Sequence, residues 1–362
     1  MLPMSTRDRH QFASDNTAGI CPEAWAALAE ANHEAAASYG EDSWTERVCN
    51  QVREIFETDC ETFIVFNGTA ANSLALAQLC RSFHSVLCHE RSHIETDECG
   101  APEFFSGGAK LLCIGGGNGK LDLTEAAEVL ARHGDVHSTK VRALSLTQAT
   151  EVGTVYSPNE LDAIAAFAEQ HSLAVHMDGA RFANAVASLG CAPKEITWQR
   201  GVDVLAFGGT KNGIAAGELV VFFNRALARE FDYRVKQGAQ LGSKMRFLAA
   251  PWTALLANGV WLKNARHANE MARLLEERLR AAGLALAFPR EASALFVHLP
   301  NEIVEKMQAR GWHFYKFIEP DVYRLMCSWS VTKEDIEALV ADLPDGRASA
   351  RPGQAEGCPS ET

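Results

Sequence analysis

No two of the ten cysteines form a CxxC pair: they are Cys21, Cys49, Cys60, Cys80, Cys88, Cys99, Cys113, Cys191, Cys327 and Cys358. That spacing gives no support to a zinc ribbon or a thioredoxin-like site. No apolar run is long enough to span a bilayer. The opening MLPMSTRDRH lacks the hydrophobic stretch of a secretory signal. Basic residues are outnumbered, with Lys plus Arg at 34 against Asp plus Glu at 46 and a net charge of −12. The electrostatic footprint of a nucleic-acid binder is therefore missing. There is no internal repeat. What is present is a 362-residue chain, 47% hydrophobic and 22% charged. It is too apolar for disorder and long enough for one large domain and a smaller one. These features predict a reducing, cytoplasmic setting. Cysteines in apolar runs such as SVLC and KLLC are expected to act as small hydrophobes, and the sequon Asn67-Gly68-Thr69 reads as coincidence.

From about residue 62 short apolar runs alternate with helical stretches. TFIVF (62–66), SVLC (85–88), AKLLCI (109–114), VRALSLT (141–147), LAVHMD (173–178), DVLAFGG (203–209) and ELVVFF (218–223) read as strands. Helices are expected over 70–83, 123–133 and 157–172. The last carries a start signal: Ser157 as N-cap, Pro158 at N1 and Glu160 at N3. Apolar strands alternating with helices predict an α/β fold, a mostly parallel sheet covered on both faces. A long helix is expected over roughly 252–282, followed by shorter α and β pieces. The predicted organisation is an N-terminal segment 1–15, a large domain 16–250, a small C-terminal α+β domain 251–343, and a disordered tail 344–362 rich in Pro, Gly and Ser.

Asp178 ends one apolar strand and Lys211 follows the next. Such a βαβ spacing brings both to the carboxyl edge of the sheet, where ligands of open α/β sheets bind. A lysine that could bind an aldehyde, beside a carboxylate that could hold a ring nitrogen protonated, suits pyridoxal phosphate. A plain salt bridge between loop residues would account for the pair as well. Gly208, Gly209, Gly213 and Gly217 would allow a bulky cofactor close to the backbone, or make a simple turn. Gly68 and Thr69 lie between a strand and a helix, where backbone N–H groups meet an anion, or serve only as a helix start.

The stretches FASDNTAGICPEAW, SYGEDSWTERV, FNGTAANSLAL, SHIETDECGAPEFFSGG, TQATEVGTVY, HMDGARFANAVASLG and FGGTKNGIAAGELVVFF resemble the low-specificity L-threonine aldolases. The resemblance runs from about residue 12 to 342. It implies pyridoxal 5'-phosphate fold type I, with a mostly parallel seven-stranded sheet, and the retro-aldol cleavage of L-threonine, L-allo-threonine and substrates like phenylserine to glycine and an aldehyde. It implies Lys211 as the Schiff-base lysine, Asp178 as the ring-nitrogen partner, Gly68 and Thr69 as the phosphate turn, and His93 stacked on the ring. Ser14, Arg181 and Arg324 would grip the substrate carboxylate, with Arg181 also near the cofactor. His93 is the first candidate for the base and Glu151 the second. The resemblance also implies a homo-oligomer, a dimer of dimers, in which Tyr39 and the loop Tyr233–Phe247 could reach a neighbouring subunit. Two departures stand out. Glu151 stands where many relatives have a histidine, and Thr210-Lys211-Asn212 replaces their Ser-Lys-Gly.

Other readings compete. His89-Glu90-Arg91-Ser92-His93 is a formal HExxH match, which would need both histidines on one helical face to bind zinc. GGGNGK (115–120) lacks P-loop spacing and reads as a hairpin turn. Another lyase or racemase reaction on the same cofactor, or a non-catalytic binding protein on the same fold, would use many of the same residues.

Overall fold

The computed structural model describes residues 11–343; the start of the predicted N-terminal segment and the predicted tail 344–362 lie outside the described residues. Among the described residues ten strands form two sheets. They are β1 (Glu61–Val65), β2 (His84–His89), β3 (Lys110–Ile114), β4 (Lys140–Thr147), β5 (Ala174–Gly179), β6 (Val204–Phe207), β7 (Glu218–Phe222), β8 (Ala294–His298), β9 (Tyr315–Ile318) and β10 (Val322–Met326). The large sheet has the order β1-β7-β6-β5-β4-β2-β3. Only β7 runs against its neighbours; the pairs from β6 through to β3 are parallel. Every residue of β5, β6 and β7 is buried, because helices cover both faces and leave no solvent side. The small sheet, β8-β10-β9, is antiparallel.

The helix Pro158–His171 starts as its sequence predicts, with the Ser157 hydroxyl accepting from Glu160 N–H and the Glu160 carboxylate accepting from Ser157 N–H. Four expectations fail locally. The helix predicted over 70–83 runs Gly68–Leu79, since Cys80 is extended and a turn closed by His84 N–H on Arg81 C=O feeds β2. The helix predicted over 252–282 is two helices, Arg246–Leu256 and Val260–Ala281. Asn258 and Gly259 separate them with φ of +53° and +68°, values that no helix interior accepts. The GGGNGK stretch is not a hairpin. It leads from β3 to the helix Leu123–Arg132, with Asp122 N–H closing on Gly115 C=O. Cys113 is exposed rather than a small hydrophobe, because β3 is an edge strand.

The long helix Val260–Ala281 joins the two cores. Val260, Trp261 and Ala265 pack into the large core; Ala272, Leu275 and Leu279 pack into the small one. The N-terminal segment is pinned to the small sheet. Phe12 N–H donates to His313 C=O at 2.9 Å, Met326 N–H donates to Phe12 C=O at 2.8 Å, and the Phe12 ring sits 5.9 Å from Trp312. Residues 13–16 are thereby carried to the seam between the sheets. No helix among the described residues is long and apolar enough to cross a membrane.

Candidate active site

β5 and β6 are parallel neighbours with Asp178 opposite Ala206. Asp178 therefore closes its strand at the same carboxyl edge from which the loop to Lys211 leaves. Two adjoining chambers open there. The inner one, about 330 Å³, is lined by Asn67, Gly68, Thr69, Asn72, Asp178, Gly208 and Glu218 among others. The outer one, about 210 Å³, is lined by Ser14, Glu151, Arg181, Tyr315, Phe317 and Arg324 among others. Asn16, His93 and Lys211 belong to both. The structure thus brings together Lys211, His93, Glu151, Gly68, Thr69, Asp178, Ser14, Arg181 and Arg324.

At the base of the inner chamber Gly68 and Thr69 are the first residues of the helix Gly68–Leu79, capped by the Asn67 side chain on Ala70 N–H. Their own N–H groups have no acceptor within the helix, and, chain neighbours and the helix's own backbone aside, nothing lies within 4 Å of where a side chain on Gly68 would begin. Asp178 is held by Ala180 N–H at 2.9 Å and by Asn72 Nδ2 at 2.9 Å. Of the four glycines near Lys211, only Gly208 faces this chamber. A side chain there would meet the Ala180 backbone at 2.5 Å. Gly209 packs on Trp252, Gly213 on Cys21 and Gly217 on Leu248, so these three serve packing and turns rather than a ligand.

The Lys211 loop is fixed from outside the motif. Glu218, buried on β7, accepts from Gly209 N–H at 2.5 Å. Burial raises its pKa against the pull of the Thr210 hydroxyl and Lys211. Asn212 donates to Trp261 C=O at 2.9 Å, and Asn264 donates back to Asn212 C=O at 2.9 Å. The asparagine that departs from the Ser-Lys-Gly pattern is therefore an anchor to the long helix.

In the outer chamber Arg181 and Asp15 form a buried bidentate pair, Nε to Oδ2 at 2.7 Å and Nη2 to Oδ1 at 3.0 Å. Burial opposes ionisation of Asp15, but Arg181, with Lys211 and Arg324, outweighs it and holds the carboxyl below the usual range. Arg181 is held charged by the same pairing in spite of its burial. One edge of the Arg181 fork is thus committed to the protein. Arg324, on β10, donates from Nη2 to Ala13 C=O at 2.9 Å and lies 4.6 Å from the Tyr315 ring centroid. Its Nε is buried without a partner. Burial, then the nearby Arg181 charge, lowers its pKa, so an anion in this chamber would relieve both. The Ser14 hydroxyl caps a short turn by accepting from Asn16 N–H at 3.1 Å.

His93 opens the short helix His93–Thr96, whereas His89 closes β2, with its Nε2 on Gly116 C=O at 3.2 Å and its Nδ1 accepting from Arg91 N–H. The two histidines share no helical face, so the HExxH reading fails on geometry. His93 Nδ1 contacts Glu98 Oε1 at 2.8 Å. Sequence reading missed Asp15, Asn72, Glu98, Glu218 and Tyr315. All but Tyr315 lie inside or beside recognised stretches, yet spacing carries no sign of which buried group each one faces.

The family model for beta-eliminating lyases matches residues 11–302. A low-specificity L-threonine aldolase of Pseudomonas aeruginosa is 56% identical over 93% of this chain and 98% of its own length; one from a Pseudomonas species is 54% identical over the same shares. A solved structure of Leishmania major threonine aldolase superposes with a TM-score of 0.87 at 28% identity, covering 91% of this chain and 97% of that one. Similarity that runs along nearly the whole chain, on a fold that brings Asp178 and Lys211 to one sheet edge, means that the chain belongs to the beta-eliminating lyase family and, within it, to the pyridoxal-phosphate-dependent low-specificity L-threonine aldolases.

Proposed function

We propose that this chain cleaves L-threonine, L-allo-threonine and related β-hydroxy-α-amino acids such as phenylserine to glycine and an aldehyde. The observation that carries the reading is the meeting of the two chambers at Lys211, with an anion-ready helix start and Asp178 on one side and the unpartnered Arg324 Nε on the other.

The inner chamber fits pyridoxal phosphate. Gly68 and Thr69 would hold the phosphate, Asp178 the ring nitrogen, His93 the ring face and Lys211 the aldehyde carbon. Two features support this: the open space beside Gly68, and a buried Asn72 Oδ1 without a partner. Bound there, the cofactor supplies an aldehyde for the substrate amine and a ring that draws electrons from the α-carbon.

The chain's own residues orient and move protons. Arg324, the uncommitted nitrogen of Arg181 and Ser14 would hold the substrate carboxylate. A guanidinium suits that task because it is always charged and can meet both oxygens. Fixing the carboxylate fixes which bond at the α-carbon lines up with the ring system. His93 and Glu151 both line the outer chamber and are our candidates for accepting the β-hydroxyl proton. Glu151, replacing a histidine common among relatives, would also set the preference for the β-substituent.

Product analysis tests the reading. Protein supplied with pyridoxal phosphate and L-threonine should release glycine and acetaldehyde in equal amounts. Release of 2-oxobutanoate and ammonia instead would make the reaction a β-elimination.

A homo-oligomer, a dimer of dimers, and a cytoplasmic location belong to the same proposal, as does the division into units 16–250 and 251–343. Exposed aromatics support the oligomer. Phe66, 56% exposed, directly precedes the Asn67 cap, and Tyr39 is 49% exposed with Lys236 Nζ 4.8 Å from its ring centroid. A chain running as a monomer in light scattering would refute it.

A further inference from the structure

Glu98 has no part in the roles above, yet its side chain is wholly buried beside the site. Its Oε1 lies 2.8 Å from His93 Nδ1 and 2.8 Å from Asn72 Nδ2, and Ser73 Oγ is 3.5 Å from Oε2. The same Asn72 nitrogen reaches Asp178 Oδ2 at 2.9 Å. One amide therefore spans two carboxylates. An amide NH₂ only donates, so the facing oxygens of Glu98 and Asp178 accept. Turning the amide over would set its oxygen against both carboxylates, which fixes its orientation. Burial raises the Glu98 pKa, opposed by its hydrogen bonds to His93 and Asn72; as a carboxylate Glu98 accepts on Oε1 from both, which puts the hydrogen of the His93 contact on Nδ1. Nε2 then carries the lone pair of the neutral ring. That nitrogen lies on the side of Asp97, 3.5 Å from its Oδ2, and Asp97 lines the outer chamber.

We propose that Glu98, steadied by Asn72, is a positioning residue that keeps the His93 proton on Nδ1 and leaves Nε2 as the basic nitrogen facing the outer chamber. The inference rests on the proposed use of His93. A buried carboxylate that fixes an imidazole in one tautomer is the arrangement by which hydrolase triads orient their base. The Glu98 contact raises the His93 pKa against the opposing effect of burial, with Asp178 and Glu151 adding to the rise. Asp97 is the remaining nearby anion. Arg91, Arg181, Lys211 and Arg324 are the cations of the same chamber.

Nitrogen-15 spectra of the histidine rings in the wild-type holoenzyme should show His93 in the Nδ1–H form; an Nε2–H ring overturns the proposal. Carbethoxylation of His93 by diethyl pyrocarbonate, read by peptide mass spectrometry across pH, reports its free nitrogen. In Glu98→Gln, which keeps the shape and removes the charge, the midpoint should fall by about one pH unit, a tenfold loss of proton affinity. The acid limb of the kcat profile should move with it, and cofactor content should stay the same. An unmoved midpoint overturns the proposal. So does a shift of that limb that persists when His93→Asn is combined with Glu98→Gln. Wild-type protein that binds no pyridoxal phosphate and cleaves no threonine would refute the proposed function instead; the ring tautomer, measured on the same sample, would still decide the role of Glu98.

Discussion

The inner and outer chambers share Lys211 and His93 but are built differently. The inner one is made of strand ends and one helix start within a single sheet, and much of its chemistry is backbone: the N–H groups at Gly68 and Thr69, and the close approach at Gly208. The outer one is made where the two sheets meet, from residues as distant in sequence as Ser14, Glu151, Arg181 and Arg324. Its organisation depends on buried charge, above all the Asp15–Arg181 pair. A site that carries a resident group on a rigid edge can therefore change its substrate chamber without rebuilding the cofactor chamber.

Substitutions can separate the two. The largest effect is expected in the inner chamber, from Lys211→Ala: turnover should fall by at least about 10³-fold, as removal of a nucleophile or proton carrier does, with loss of covalently held cofactor in mass spectra. Asp178→Asn should cut kcat by about 10²-fold, measured at saturating threonine, since a neutral amide stabilises a protonated ring nitrogen far less. Undiminished kcat would remove Asp178 from its role. Arg324→Leu should act on the outer chamber alone, raising KM about 10-fold to 100-fold through the loss of one charge-assisted contact, with cofactor content unaltered.

The buried pair gives a stability test. Asp15→Asn should destabilise by about 3–5 kcal/mol, because it strands the Arg181 charge, as read by denaturant unfolding of the holoenzyme. The sign with pH follows from the lowered Asp15 pKa. Its contribution is fully present above the unfolded value of about 3.9 and is lost as pH falls through the folded value. The gap between wild type and Asp15→Asn should therefore close in acid. The smallest effect is expected from Glu151→Gln, a few-fold change in the ratio of kcat/KM for threonine to that for phenylserine, with little change in cofactor binding. A ratio that stayed the same would leave Glu151 outside the substrate's reach.

The sequence by itself determined the alternation of strands and helices, the capping of the helix Pro158–His171, the parallel pairing that brings Asp178 and Lys211 to one edge, and the residues around them. These are legible because apolar periodicity, caps and the handedness of βαβ units are local rules. Only the tertiary structure decided that Asp15 holds Arg181, that Asn72 ties Glu98 to Asp178, that Glu218 and Asn264 anchor the Lys211 loop, and that Tyr315 lies under Arg324. It also decided that the predicted long helix breaks at Asn258 and Gly259. The reason is physical: a buried polar group must find a partner, and which partner it finds depends on which distant segment arrives beside it, a fact that no spacing within a single segment records.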